Sequence, residues 1–172
     1  ALRRPARVKA NWLFLNSSHV IDLAFHLGGS PSLLSSFTAG RTPWHHSAGA
    51  FAGAGRTEGG ALFSYRADWR APGRWSVELC TRKRRLSLCP LETLSVQAGE
   101  GRPYEPFALK DSYDRAFKPG LLAMTKAFLS PRSAELLPTL AAHREFSRDV
   151  LRPLAGGKAP WSRSRRRPVR WK

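Results

Sequence analysis

The chain has 172 residues, of which 42% are apolar and 10% aromatic, so it can bury a hydrophobic core and is not a wholly disordered chain. Its 29 basic residues outnumber 12 acidic ones and give a net charge of +17, which favours a polyanionic partner such as nucleic acid. Residues 1–10 carry four cations and no acid, and residues 156–172 carry seven cations and no acid. The charge excess is therefore concentrated towards the two ends.

Cysteine content and hydropathy restrict the cellular compartment. Two cysteines, Cys80 and Cys89, are too few for a disulfide framework or a zinc ribbon, and free thiols are the default even though a hairpin could bring them face to face. No apolar run has the length of a membrane span, and residues 1–7 lack the apolar stretch of a signal peptide. We therefore expect a cytoplasmic protein with no membrane contact. The chain opens with Ala1 in basic sequence, from which we expect a fragment, a processed chain or an engineered one.

The first sixty residues are predicted to contain one helix, a short strand and a long loop. The helix is expected over 18–27, with Asn16 offering a side-chain oxygen near its first turn and Gly28 at its end. Gly, Ala, Ser and Thr dominate residues 30–60. This composition predicts mostly loop, with a strand only over 33–38.

An antiparallel meander is predicted for the middle of the chain. Residues 61–69 alternate between two faces, and the same period of two returns over 75–79. A Pro-Gly turn at 72–73 would pair these two runs as a hairpin. Basic residues at 82–85 form the next turn, and the apolar residues of 86–96 extend the meander to four or five strands.

Helical periodicity returns in the last third. Residues 111–129 repeat apolar side chains every three or four positions, and Pro119 is expected to split or kink this helix. A further helical stretch covers 133–151, with Pro138 as a second break. Together with the strands, these helices predict an α+β fold, with a mostly antiparallel open sheet and helices on one face.

Three segments follow from these elements. Residues 1–10 are expected to be a basic linker, residues 11–152 a single domain, and residues 153–172 a disordered basic tail that is solvated and has no core.

The candidate site with the clearest chemistry lies on the first helix. His19, Asp22 and His26 fall at i, i+3 and i+7 and share one face. A carboxylate one turn from an imidazole holds one tautomer while the other ring nitrogen exchanges a proton with a substrate hydroxyl, as in general acid–base catalysis. The alternative is two histidines that only hydrogen-bond at the surface. The imidazoles are about 10 Å apart along the axis, so metal binding is disfavoured.

Three other patterns each allow a functional and a purely structural interpretation. Trp44 and His45 stand in a Gly-rich setting and could line the rim of a pocket, or lie at an ordinary surface. Gly53-Ala54-Gly55 fails the dinucleotide-loop pattern because Glu58 stands where the third glycine belongs, so a flexible loop is expected. The basic run 82–85 is expected to be a solvated turn, with phosphate contact as the minor alternative.

Three stretches carry a resemblance: NWLFLNSSHVIDLAFHLGG at 11–29, GALFSYRADWRAPGRW at 60–75 and SYDRAFKPG at 112–120. They resemble the C-terminal domain of the Gfo/Idh/MocA oxidoreductases, the glucose–fructose oxidoreductase and myo-inositol dehydrogenase family. The similarity covers roughly residues 11–150. In that family a separate Rossmann domain binds NAD or NADP, and the C-terminal domain supplies substrate contacts and commonly the oligomer interface.

The resemblance implies site residues. The family's helix pattern Asp-x-x-x-His-x-x-Asp is matched at His19 and Asp22, whereas Leu15 stands where the family carries the first Asp. His19 would be the catalytic imidazole beside the sugar or polyol carbon that undergoes hydride transfer. From the residues themselves, we expect the substrate-binding set to be Asn16, Asp22, His26, Trp44 and His45.

The resemblance also implies partners. The chain contains neither a glycine fingerprint after a strand nor the Glu-Lys-Pro segment in which the family carries its catalytic lysine. We therefore expect a domain without its N-terminal nucleotide-binding half, catalytically incomplete alone, with NAD or NADP bound only in the full-length enzyme. A homo-oligomer is expected through an apolar sheet face made of Phe63, Tyr65, Trp69, Trp75, Val77 and Leu79.

The sequence leaves two other classes of function as alternatives to an oxidoreductase domain. A non-enzymatic basic protein could bind nucleic acid through its Arg-rich termini, since each neutralised phosphate releases counterions. Weak non-specific polyanion binding by the tail is expected in either case. A self-sufficient hydrolase has little support, because no nucleophile with an adjacent base is visible.

Overall fold

The computed structural model describes residues 4–45, 47–130, 132 and 137–157. It has an α+β fold with helices and two antiparallel sheets. The chain divides into two compact units. Among the described residues, the first unit is formed by those up to Gly73 together with residues 143–157, and the second by those from Arg74 to Ala142. The sequence predicts one domain over 11–152, and the division into compact units falls inside that range, after Gly73.

The first unit contains a three-stranded sheet in the order β1-β2-β3 and short helical segments from both ends of the chain. Its strands are β1 (Pro31–Ala39), β2 (Ala50–Thr57) and β3 (Leu62–Asp68). Its helical segments are α1 (Ala6–Ala10), a first π-helical turn (Leu13–Ser17), α2 (Ser18–Gly28), a second π-helical turn (Ser147–Leu151) and α6 (Arg152–Leu154).

The second unit contains a four-stranded antiparallel meander in the order β4-β5-β6-β7 and two helices. Its strands are β4 (Val77–Cys80), β5 (Arg85–Leu88), β6 (Leu94–Gln97) and β7 (Glu105–Phe107). Its helices are α3 (Ser112–Ala116) and α4 (Leu121–Leu129), separated at Pro119 as predicted. The helix α5 (Leu140–Phe146) begins after Pro138 and includes the division between the units.

The first sheet has one covered and one exposed face. On the covered face Phe51 is 1% exposed and forms the core with Leu13 and Ala48. On the opposite face Phe37 and Leu62 are 71% and 85% exposed. The predicted alternation of 61–69 is therefore confirmed, because its aromatic residues point inward and its intervening residues outward.

The loop predicted over most of 30–60 is wrong, because residues 50–57 form the central strand of the sheet. Gly53 lies opposite Tyr65 and Gly55 opposite Phe63. A Cβ at Gly53 would lie 2.5 Å from Tyr65 Cε1, and one at Gly55 would lie 2.6 Å from Phe63 Cζ. The large rings of β3 thus cover the two glycines, and this packing compensates for the low strand propensity of glycine.

The predicted hairpin between 61–69 and 75–79 is also wrong. β3 pairs with β2, while Val77–Cys80 pairs with Arg85–Leu88 in the other sheet. Cys80 lies opposite Arg85, at the other end of this hairpin from Cys89, and both thiols are free and exposed. Pro72 and Gly73 join the two sheets instead of forming a turn between paired strands.

The packed part of the chain extends beyond residue 152. Pro153 and Leu154 are buried, and the Tyr65 hydroxyl donates a hydrogen bond of 2.8 Å to the Leu154 carbonyl oxygen. The expectation of a coreless tail from Pro153 is therefore wrong for these residues, because their apolar side chains complete the core of the first unit. Residues 158–172 of the predicted tail lie outside the described residues.

Substitution of Gly55 by Ala should destabilise the protein by about 1–3 kcal/mol, the usual cost of overpacking. The added Cβ would meet the Leu33 carbonyl oxygen as well as the Phe63 ring. Gly59→Ala is the matched control, because its Cβ would meet only Thr57 Oγ1 at 3.9 Å. Urea unfolding of both variants measures the difference; equal stability would show that the ring does not need the glycine.

Replacement of Tyr65 by Phe should weaken the pH dependence of stability at high pH. Burial raises the pKa of Tyr65 from 10.0 to about 12, so the folded state keeps a proton that the unfolded chain loses between these values. The stabilisation is complete below pH 10 and is lost as pH rises to 12. The gap in melting temperature between wild type and Tyr65→Phe should shrink over this range, and a constant gap would contradict the assignment.

Candidate functional site

The helix α2 presents the predicted acid–base residues to solvent. Ile21 packs against the core, and Phe25 makes a perpendicular ring contact with Phe63 of β3 at a centroid distance of 5.1 Å. His19, Asp22 and His26 are exposed on the remaining surface of the helix. The amphipathic pattern thus anchors one side of α2 on the sheet and leaves the polar stripe accessible.

A π-helical turn leads into this helix. Leu13–Ser17 continues directly into α2, and no side-chain hydrogen bond caps the helix start. The cap expected near Asn16 is therefore wrong, because the helical backbone continues upstream instead of beginning at Ser18. Asn16 is half-buried, and Leu15, where the family pattern has Asp, is 53% exposed. Single π-helical turns occur frequently at functional sites.

Trp44 and His45 belong to an aromatic cluster in the core of the first unit. The His45 ring is 4.6 Å from the Trp69 ring and 5.6 Å from the Phe51 ring by centroid distance, and His45 is 6% exposed. Trp44 is half-buried and contacts Trp12 at 6.5 Å and Trp69 at 5.6 Å. These contacts place His45 inside the core and not at an open pocket rim.

Hydrogen bonds to the ring and backbone of His45 fix its orientation in the loop. Its Nδ1 accepts from the backbone N–H groups of Ser47 and Ala48 at 3.3 and 3.4 Å. The backbone N–H of His45 donates to Thr42 Oγ1 at 3.1 Å. An Nδ1 that accepts from amide groups is not protonated, so this nitrogen organises the loop between β1 and β2.

An ion pair closes the same loop from outside. The Arg70 guanidinium donates to both carboxylate oxygens of Asp68 at 3.1 and 3.0 Å. These side-chain hydrogen bonds, with the Arg70 N–H, lower the pKa of Asp68 to about 2. The Arg70 side chain lies against Gly40 and Gly49, where a Cβ at Gly49 would be 3.1 Å from its Cδ. The bidentate pair therefore orders the base of the loop that carries Trp44 and His45.

The predicted residues accordingly form two groups. His19, Asp22 and His26 share an exposed helix face, whereas Trp44 and His45 belong to the core. Cavities of about 410 and 170 Å³ are lined by other residues, the larger around Phe128 and the smaller around Phe37. In the described part of the chain, no group of three or more His, Cys, Asp or Glu side chains could hold a metal ion.

A polar cluster on the second sheet was missed by the sequence reasoning. The Tyr104 hydroxyl donates to Glu78 Oε2 at 2.8 Å, and Arg85 Nε lies 3.7 Å from Glu78 Oε1. Desolvation, with the Glu78 contact, raises the pKa of Tyr104. Only the register of β4 with β5 and the return of the chain to Tyr104 bring these groups together. In the sequence, the only indication of this cluster is that Glu78 alternates with the apolar Val77 and Leu79, as expected for a polar residue on one face of a strand.

Comparison with known proteins adds no relative. No family model matches this chain, and neither the curated proteins nor the solved structures compared with it give a match. None of the described helices is long and apolar enough to cross a membrane. The basic tail of the nucleic-acid alternative lies outside the described residues beyond 157, so that alternative stays a prediction.

Substitution of His45 by Ala should lower stability by about 2–4 kcal/mol, because it leaves a cavity among aromatic rings and removes the acceptor for two amide groups. His26→Ala removes an exposed imidazole from α2 and serves as the control, with little expected change. Chemical denaturation followed by tryptophan fluorescence measures both. A stable His45→Ala variant would show that this ring is not a core element.

Proposed function

We propose that the chain is the substrate-binding and assembly domain of an NAD(P)-dependent oxidoreductase that acts on the CH–OH group of a sugar or polyol. The observation that carries the proposal is the exposed stripe of His19, Asp22 and His26 on a helix anchored by Ile21 and Phe25. The resemblance of residues 11–29 to the Gfo/Idh/MocA family supports the same reading.

The stripe suits a polyhydroxylated substrate. Imidazole nitrogens donate and accept hydrogen bonds, and the Asp22 carboxylate accepts them, so adjacent hydroxyl groups can bind along the helix. His19 would bind the hydroxyl of the reacting carbon and accept its proton as the carbonyl group forms. Asp22 and His26 would orient the neighbouring hydroxyls. A helix held by core contacts keeps these groups in fixed relative positions.

The described residues do not fit a nicotinamide nucleotide. The Gly53-Ala54-Gly55 segment lies inside β2 under two aromatic rings and does not precede a helix. Both sheets are antiparallel throughout their described strands, whereas dinucleotide sites use a parallel βαβ unit. In this proposal, NAD or NADP belongs to a separate nucleotide-binding domain.

Assembly would use the outer face of the first sheet. The predicted face with Phe63, Tyr65 and Trp69 is the covered one in the first unit, so that assignment is wrong for these residues. The opposite face exposes Leu33, Phe37 and Leu62, and on β2 between the outer strands it carries Ala52, Ala54 and Arg56. Large apolar side chains exposed together on one sheet face favour contact with a second copy of the chain.

Substrate binding by the chain alone tests the proposal without cofactor chemistry. A panel of sugars and polyols should shift the amide resonances of residues 16–26 in a ¹⁵N-labelled sample, with millimolar affinity for the preferred member. His19→Ala should weaken this binding at least tenfold, because the central donor–acceptor is lost. His143→Ala is the matched control, since His143 is an exposed histidine on α5.

Two outcomes would contradict the proposal. One is the absence of any α2 response to the whole panel at saturating concentration, or an equal loss in His143→Ala and His19→Ala. The other is tight binding of NAD by the chain alone in calorimetry, which would show a nucleotide site where none is proposed.

A further inference from the structure

The turn between β4 and β5 presents a row of cations from a rigid backbone. Arg82, Lys83 and Arg84 follow Thr81 and precede Arg85, the first residue of β5. All five residues are exposed, and the turn contains no acidic and no apolar side chain. Such a run is an ordinary solvated turn unless its shape is also fixed.

Thr81 fixes the shape of this turn. Its hydroxyl oxygen accepts from the N–H groups of Lys83 and Arg84 at 3.3 and 3.0 Å, and the hydroxyl contacts the Arg84 carbonyl oxygen at 3.0 Å as donor. Its own N–H donates to the same carbonyl at 2.9 Å. The N–H groups of Thr81, Lys83 and Arg84 are thus hydrogen-bonded within the turn, and the cationic side chains extend from this ordered backbone.

The local charges leave three cations available. Glu78 is engaged by Arg85 and by the Tyr104 hydroxyl. Within the described part of the chain, Arg82, Lys83 and Arg84 form no ion pair. Side chains of like charge on adjacent residues repel each other, so an anion with several charges in a row relieves that repulsion.

We propose that the locked turn of Thr81 to Arg85, hereafter the basic turn, binds the phosphate backbone of nucleic acid without sequence preference. Guanidinium groups bind phosphates in bidentate fashion, and a polynucleotide offers consecutive phosphates to consecutive cations. A lipid bilayer is the less suitable partner, because interfacial segments insert apolar side chains and this turn has none. The basic turn belongs to the second unit, is distinct in sequence from the Arg-rich ends, and is independent of the proposed oxidoreductase role.

Salt dependence of binding by the full chain tests the proposal. A fluorescent oligothymidylate is titrated at several salt concentrations against wild type and a variant with Arg82→Gln, Lys83→Gln and Arg84→Gln. For a single strand, loss of three phosphate contacts should reduce the slope of log K against log salt by about 2. The matched control carries Lys110→Gln, Lys118→Gln and Lys126→Gln, which remove the same charge from exposed sites elsewhere in the second unit.

A second variant tests the rigid shape at constant charge. Thr81→Val removes the hydroxyl and its three hydrogen bonds within the turn. Affinity should fall about fivefold, because the turn must then be ordered on binding. Thr81→Ser keeps the hydroxyl and should bind as wild type. Circular dichroism checks that each variant keeps its fold.

Four results would overturn the proposal. Equal slopes in the basic-turn variant and wild type, or equal reductions in the basic-turn and lysine-control variants, would show that the turn makes no specific contribution. Wild-type affinity in Thr81→Val would show that the locked shape is irrelevant. Turn-dependent binding to phosphatidylserine vesicles, with turn-independent binding to the oligonucleotide, would identify a membrane surface as the partner instead.

Discussion

The packing of two aromatic rings on two glycines is the constraint on which the first unit depends. Phe63 and Tyr65 lie across Gly55 and Gly53 on the covered face of the sheet. The same rings then contact the helices, since Phe63 meets Phe25 of α2 and the Tyr65 hydroxyl binds the carbonyl of Leu154 in α6. A side chain at either glycine would lift a ring and shift the helix it supports. The position of the candidate site is thus set by residues that take no part in its chemistry.

Packing against the first sheet also explains why His19 and His26 are exposed whereas His45 is buried. His19 and His26 lie on the side of α2 opposite Ile21 and Phe25, so anchoring of the apolar side exposes them. His45 lies in a loop that the bidentate Asp68–Arg70 pair draws onto the sheet, so its ring enters the aromatic core. The exposed imidazoles of His19 and His26 can exchange protons with a substrate. The buried imidazole of His45, whose Nδ1 accepts hydrogen bonds from the backbone, has a structural role.

Much of this arrangement could be predicted from local patterns. The span of α2, the alternation of β3 and the break of the helix at Pro119 follow from periodicity and from residues that act on their own backbone. The strand at 50–57 could not be predicted in this way, because Gly and Ala favour a strand there only when neighbouring rings cover them. The pairing of β3 could not be predicted for the same reason, since its rings cover the glycines of β2, a segment whose composition predicts loop, and not the run at 75–79.

Charge provides the corresponding contrast in the second unit. The sequence places most of its excess cations near the ends, where counting alone predicts weak and general attraction to polyanions. The basic turn carries fewer charges than the two ends of the chain, but the Thr81 hydroxyl orders its backbone. The nearby Glu78 carboxylate is bound by Tyr104 and Arg85 and does not neutralise the other cations of the turn. Affinity per charge rises when the ordering cost is met in the folded state instead of on binding. The basic turn can therefore contribute more to binding than its share of the net charge. Its rigid backbone holds the cations at fixed positions, and this spacing favours anions that are themselves spaced along a chain.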